Sequence, residues 1–203
     1  MDPRPLLIFD YGGVISPHGK GLQGIDTILG IQFDKSTHPT QHALIIDVMY
    51  GRISIAELEH KLQSIGHHNV KNVEARWQAW AKEHFVPAAG MQDLFDALQG
   101  RGYRLALLSN NTAPSMSVLR SEGWLDPFGV VVASNEVHMA KPEVEIFQHT
   151  LNLLGATAEH CLFIDDKQSN TAVAAELGMQ VLTADGPAHV IKWISEKYDL
   201  NHI

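Results

Sequence analysis

Four apolar runs in the 203-residue chain are each followed by a polar cluster. Asp10-Tyr11-Gly12-Gly13-Val14 follows Leu6–Phe9, and Ser109-Asn110-Asn111-Thr112 follows residues 104–108. Ser134-Asn135 follows Val130–Ala133, with Ala140-Lys141-Pro142 a little further on. Asp165-Asp166 follows residues 161–164, with Asn170 four residues beyond. Gathered at one place, Asp10, Asp165 and Asp166 would repel unless a cation joined them. Oxygen donors without His or Cys suit Mg²⁺, which binds through one or two carboxylates and a substrate phosphate. Ser109 and the backbone around Asn110 can donate to phosphate oxygens. Lys141 adds a point charge, and Pro142 after it predicts that this lysine opens a helix. Gly12 and Gly13 permit a tight turn with exposed backbone groups beside Asp10. An anion site, a metal and a carboxylate in one place make a phosphoryl-transfer site, with Asp10 as candidate nucleophile. Each element alone has an ordinary reading as a cap or a turn; the ordered set carries the inference.

These clusters need a scaffold that brings them to one edge. The apolar runs, with 180–182 as a fifth, are short and often apolar at every position, as in strands buried on both faces of a parallel sheet. Helical stripes lie between them: Met91, Leu94, Phe95 and Leu98; Val144, Phe147, Leu151 and Leu154, closed by Gly155; 172–177, closed by Gly178; and Ile191, Ile194 and Tyr198 after Pro187. Strands alternating with helices predict an α/β fold with a doubly wound parallel sheet, whose ligands bind at the carboxyl ends of the strands. About 90 residues separate the first run from the second, where a crossover needs only about a dozen. Residues from about 16 to 86 therefore read as an inserted helical bundle. Its signals are a capping box at Ser54-Ile55-Ala56-Glu57, a stripe of Ile55, Leu58, Leu62 and Ile65, a second of Val73, Trp77, Trp80 and Ala81, and a third helix over 43–49. The Trp pair reads as packing rather than a stacking platform.

Composition narrows the partners. With 23 Asp+Glu against 15 Lys+Arg, the formal charge is −8. No basic stripe is present, which argues against nucleic acid or an anionic membrane. No apolar stretch approaches the ~18 residues of a membrane helix. The first residues do not read as a signal peptide, so a cytoplasmic setting is expected. Cys161, the single cysteine, sits in an apolar run and reads as a small buried hydrophobe.

The four signatures, in order, resemble those of the haloacid dehalogenase-like (HAD) hydrolase superfamily over essentially the full length. They are Ile8-Phe9-Asp10-Tyr11-Gly12-Gly13-Val14, Leu107-Leu108-Ser109-Asn110, Lys141-Pro142, and Phe163-Ile164-Asp165-Asp166 with Asn170. The insertion resembles the small helical cap of one subfamily. The resemblance implies a Rossmann-like core of residues 1–15 and 87–203 with a cap domain of 16–86. The Asp-x-Gly-Gly-Val form is similar to a branch containing sugar-1-phosphate phosphatases and phosphatase-like domains of epoxide hydrolases. By that resemblance Asp10 would form an aspartyl-phosphate. Asp10, the Gly12 carbonyl and Asp166 would hold Mg²⁺, with Asp165 in support. Ser109, the Asn110 backbone and Lys141 would hold the phosphoryl oxygens, Lys141 would also neutralise the nucleophile, and the cap would select a small phosphorylated metabolite.

One position departs from the pattern. Most family phosphatases carry a second Asp two residues after the nucleophile, as general acid and base; here it is Gly12. That predicts a slow enzyme, a substitute acid such as His18, or a leaving group needing little protonation, as in acyl or glycosyl phosphates. A surface or capping role for His18 is the simpler reading. Two alternatives stand beside the Mg²⁺-dependent phosphatase. A metal-free 2-haloacid dehalogenase of the same fold leaves Asp165-Asp166 unexplained. An inactive relative with a binding role has only Gly12 in its favour. The sequence does not fix the oligomeric state.

Overall fold

The computed structural model describes residues 4–17, 24–31 and 36–200. His18 lies outside them.

Five parallel strands form one sheet: β1 (Leu6–Phe9), β2 (Leu105–Ser109), β3 (Val130–Ala133), β4 (Cys161–Asp165) and β5 (Gln180–Thr183). Their order is β3-β2-β1-β4-β5. All five fall on the apolar runs, and the doubly wound α/β architecture is as expected. The reason lies in the two faces of β1. Leu7 and Phe9 enter one apolar cluster, against α5 (Met91–Gly100), α6 (Ala113–Ser121) and α10 (Pro187–Lys197). Leu6 and Ile8 enter another, against α8 (Val144–Leu154) and α9 (Gln168–Glu176). A strand covered on both sides has no polar face.

Between β1 and α5 the chain forms α1 (Ile25–Leu29), α2 (Pro39–Met49), α3 (Ile55–Ser64) and α4 (Val73–His84). These helices share an apolar cluster of their own, including Ile28, Ile45, Leu58, Leu62, Val73 and Trp77. The capping box forms as read: Glu57 N donates to Ser54 Oγ at 3.2 Å, and Ser54 N donates to Glu57 Oε2 at 2.8 Å.

The insert is tied to the sheet domain on two sides. On one side the outgoing and returning chains run together. Tyr11 Oη donates to the Phe85 carbonyl at 2.7 Å, Ser16 Oγ donates to the His84 carbonyl at 3.0 Å, and Lys82 pairs with Glu122 at 2.7 Å. On the other, the turn after α2 rests on α7 (Ser134–Val137) and the segment after it. Ser134 Oγ donates to the Met49 carbonyl at 2.6 Å, and Tyr50 Oη donates to Glu143 Oε1 at 2.6 Å. Gly51 lies so close that a Cβ there would sit 2.1 Å from the Asn135 carbonyl oxygen.

Two details depart from expectation. Val144 is 38% exposed, and α8 instead buries Ile146, Phe147, Thr150 and Leu154. Lys141-Pro142 does not open α8. Glu143 N bonds to the Ala140 carbonyl at 2.9 Å and Glu143 Oε2 accepts from Ala140 N at 3.2 Å, closing a turn, so the helix starts at Val144 with Glu143 as its cap. The Lys141-Pro142 peptide is cis. Cys161 is buried as expected, and burial pushes its thiol up to about 11, far from a nucleophile.

Candidate active site

The strand order alone brings the carboxylates together. β1 is central, and the chain winds to β2 and β3 on one side before crossing to β4 and β5 on the other. The C-terminal ends of β1 and β4 therefore lie at the topological switch point. Phe9 pairs with Ile164, and Asp10 N donates to the Ile164 carbonyl at 2.8 Å, which sets Asp10 beside Asp165. Oxygens of Asp10, Asp165 and Asp166 lie within 4.8 Å of one another, the one such acid, His or Cys group among the described residues.

Lys141 reaches into this cluster from the far side of β2. Its Nζ lies 2.9 Å from Asp10 Oδ1, 2.6 Å from Asp165 Oδ2 and 2.7 Å from the Leu108 carbonyl, so three acceptors meet its three N–H bonds. The lysine is held by Asn110, whose Nδ2 donates to the Lys141 carbonyl at 2.8 Å and whose Oδ1 accepts from Lys141 N at 2.9 Å. The Asn110 side chain thus clamps the lysine's peptide, a function absent from the sequence reading. Asp165 is fully committed: besides Lys141, its oxygens accept from Lys167 N at 2.9 Å and from Asn170 Nδ2 at 2.9 and 3.0 Å.

Asp166 differs. Its Oδ1 is buried and has no hydrogen-bond partner. A buried carboxylate oxygen left bare is costly and calls for a cation. Gly13 explains how Asp166 comes so close: a Cβ on Gly13 would sit 2.7 Å from Asp166 Oδ2, and φ is +77°. Gly13→Ala is expected to lower stability by about 1–2 kcal/mol from left-handed strain alone, and more if Asp166 is pushed aside. Urea unfolding measures this; an unchanged midpoint would contradict it.

Electrostatics agree with the geometry. Three carboxylates outnumber Lys141 and the nearby Lys167, so the cluster carries an excess of negative charge. Burial, opposed by Lys141 and reinforced by Asp165, holds the Asp10 carboxyl above the usual range. Burial likewise raises Asp166, partly offset by Lys167. Burial would lower Lys141, but Asp10 and Asp165 more than offset it, and the ammonium is held above its usual value. A divalent cation at Asp10 and Asp166 would remove the penalty on both acids.

The cluster opens into a cleft between the sheet edge and the inserted helices. Of the residues singled out from the sequence, Asp10, Gly12, Ser109, Asn110 and Lys141 line it, together with Lys167. Its roof was not foreseen. Ile25 and Ile28 of α1, Met49 of α2, Trp77 and Trp80 of α4, and Phe85 all face the cleft. Trp77 is 6% exposed and does pack in the core of the insert, as read, but Trp80 is a half-buried wall. None of Arg52, His38, His42 or His84 lines the cleft.

The haloacid dehalogenase-like hydrolase family profile matches residues 6–178, and the chain belongs to that family. It is 33% identical over 94 residues to a sesquiterpene phosphatase of Aspergillus oryzae, covering 46% of this chain and 48% of that protein. The chain thus spans about half the length of this relative. A phosphatase of Mycobacterium tuberculosis is 23% identical over 189 residues, covering 88% of this chain and 86% of that protein. An HAD family enzyme from Bacteroides thetaiotaomicron, crystallised with magnesium and inorganic phosphate, superimposes with a TM-score of 0.72 at 24% identity, covering 90% of this chain and 95% of that one. Among the described residues, no helix is long and apolar enough to cross a membrane.

Proposed function

We propose that this protein is a Mg²⁺-dependent phosphatase of a small phosphorylated metabolite, acting through an aspartyl-phosphate on Asp10. The observation that carries the reading is the bare, buried Asp166 Oδ1 beside Asp10 in a cluster whose carboxylates outnumber the lysines near them. A metal-free dehalogenase would gain nothing from that oxygen. Asp10, Asp166 and the Gly12 carbonyl would hold the ion; Asp165, with both oxygens engaged, supports from behind by fixing Lys141. Bound there, Mg²⁺ supplies neutralising charge for the nucleophile and the phosphoryl group.

The chain's own residues do the rest. The Asp10 carboxylate attacks phosphorus, and the leaving oxygen departs with the bonding pair. Ser109 and the Asn110 backbone would hold the phosphoryl oxygens; Lys141, with its three N–H bonds on Asp10, Asp165 and the Leu108 carbonyl, would lend them its charge while it aims Asp10 and opposes the effect of burial on its carboxyl. Water then displaces Asp10 and releases inorganic phosphate. The helical insert, 16–86 in this reading, acts as the cap. The names of the Aspergillus and Mycobacterium relatives support the phosphatase assignment, as does the magnesium and phosphate in the Bacteroides neighbour.

Phosphate release from acetyl phosphate and aryl phosphates should require Mg²⁺ and stop with chelator. Mg²⁺ should also raise the unfolding temperature of wild type but not of Asp166→Asn. Halide release from a 2-haloacid in the presence of chelator, without phosphatase activity, would overturn the proposal in favour of a dehalogenase. Phosphate release from no compound would favour a binding role.

Gly12 is not among the glycines with the left-handed backbone that Gly13 adopts. Gly12→Asp is expected to raise hydrolysis of unactivated alkyl phosphates, by up to the ~10²–10⁴-fold of positioned acid–base catalysis. Equal rates in both proteins would refute this account of Gly12.

A further inference from the structure

The cleft has two halves of opposite character. Its floor is the polar sheet edge. Its roof is Ile25, Ile28, Met49, Trp77, Trp80 and Phe85, without a polar side chain among the described residues. The Trp80 wall is preset. His84 stacks on its ring at 4.5 Å between centroids with 7° between planes, and Phe85 meets it edge-on at 5.3 Å. A Cβ on Gly24 would sit 2.2 Å from the Trp80 ring, so the indole edge is also closed off. A wall fixed before binding loses little freedom when a flat group lies on it.

The polar side chains near this roof are partly engaged with each other. Asn111 Oδ1 accepts from Thr112 N at 2.9 Å, Thr112 Oγ1 donates to Ser115 Oγ at 3.2 Å, and the Asn110 amide is taken by Lys141. Against the roof itself, the hydroxyls of a sugar or polyol would lose water without meeting a polar side chain of the described residues. Besides the nucleophile, the described lining offers no carboxylic acid or imidazole to protonate a leaving oxygen. Its ionisable side chains are Asp10, Lys141 and Lys167: the nucleophile, a buried ion-paired ammonium and an exposed ammonium. An alkoxide would leave poorly. A phenolate, whose conjugate acid titrates near about 10, needs no donor to depart.

We infer that the substrate is an aryl phosphate, a small phosphorylated phenol whose ring lies against the Trp80–Phe85 wall. This rests on the phosphatase reading and narrows it. The P–O(aryl) bond breaks as the bond from phosphorus to Asp10 Oδ forms, and the phenolate carries off the electron pair. Phenolate takes its proton from solvent. Water then attacks phosphorus, and Asp10 is regenerated with release of inorganic phosphate.

The test has a rate arm and a binding arm. With Mg²⁺, kcat/KM for phenyl and 1-naphthyl phosphate should exceed that for glucose 1-phosphate and glycerol 3-phosphate by roughly 10–100-fold. Tryptophan fluorescence should report phenylphosphonate binding about tenfold tighter than methylphosphonate. Trp80→Ala, and Trp80→Leu should the smaller residue unfold the insert, should erase the tenfold preference. Equal phosphonate affinities in wild type, or sugar phosphates turned over as well as aryl phosphates, overturn the inference and leave the phosphatase standing. Release from no ester at all removes both.

Discussion

Asp10→Asn is expected to reduce phosphate release by roughly 10⁴–10⁶-fold, the scale seen when a covalent nucleophile is removed. The amide keeps the shape and can still accept from Lys141 Nζ, so little else should change. Stability should be held or raised. Burial lifts the Asp10 carboxyl above its ordinary range. Between the ordinary and the raised value, the unfolded chain has shed a proton that the folded chain still binds. Stability therefore falls as pH rises through that window, and the ionised side chain stays a burden above it. In metal-free buffer at neutral pH the Asn variant should thus unfold at the same temperature as wild type or higher. The difference should vanish at pH values where the carboxyl is protonated in both states. Phosphate release within tenfold of wild type would remove Asp10 as nucleophile, whereas a lower unfolding temperature would contradict the electrostatic account alone.

Lys141→Met is expected to injure both fold and activity. The ammonium is 1% exposed in its side chain and faces Asp10 and Asp165, themselves 8% and 0% exposed. Its removal strands two buried carboxylates, a loss of about 3–5 kcal/mol for a broken buried pair. Urea unfolding in metal-free buffer should register it. Asp10→Asn combined with Lys141→Met should cost less than the sum of the two changes, by about 0.5–3 kcal/mol. Strict additivity would mean that the two side chains do not act as one electrostatic unit.

The strands were legible because burial on two faces leaves its mark in consecutive residues, as in Leu6–Phe9 with every position buried. The acids and Lys141 were legible because each follows such a strand or lies in a turn nearby, and β1 and β4 are neighbours in the sheet. What sequence reasoning missed depends on distant partners. The helix Ala113–Ser121 carries Pro114, Ser115, Ser117 and Ser121, which blur its apolar stripe although Met116 and Leu119 are fully buried. Asn110 reads as a turn residue; its grip on Lys141 spans 31 positions. Trp77 and Trp80 share a helix face by spacing, but whether that face meets protein or a cleft is decided by the sheet opposite. No local pattern records that.

The two tethers of the helical insert bear on what can enter. Tyr50–Glu143 and Ser134–Met49 bind one flank, and Tyr11–Phe85 with Ser16–His84 the other. A canopy anchored along both margins would have to break hydrogen bonds on one flank before it could swing. Under the proposed phosphatase reading, such an arrangement favours a small phosphorylated compound over a phosphoryl group mounted on a bulky folded macromolecule.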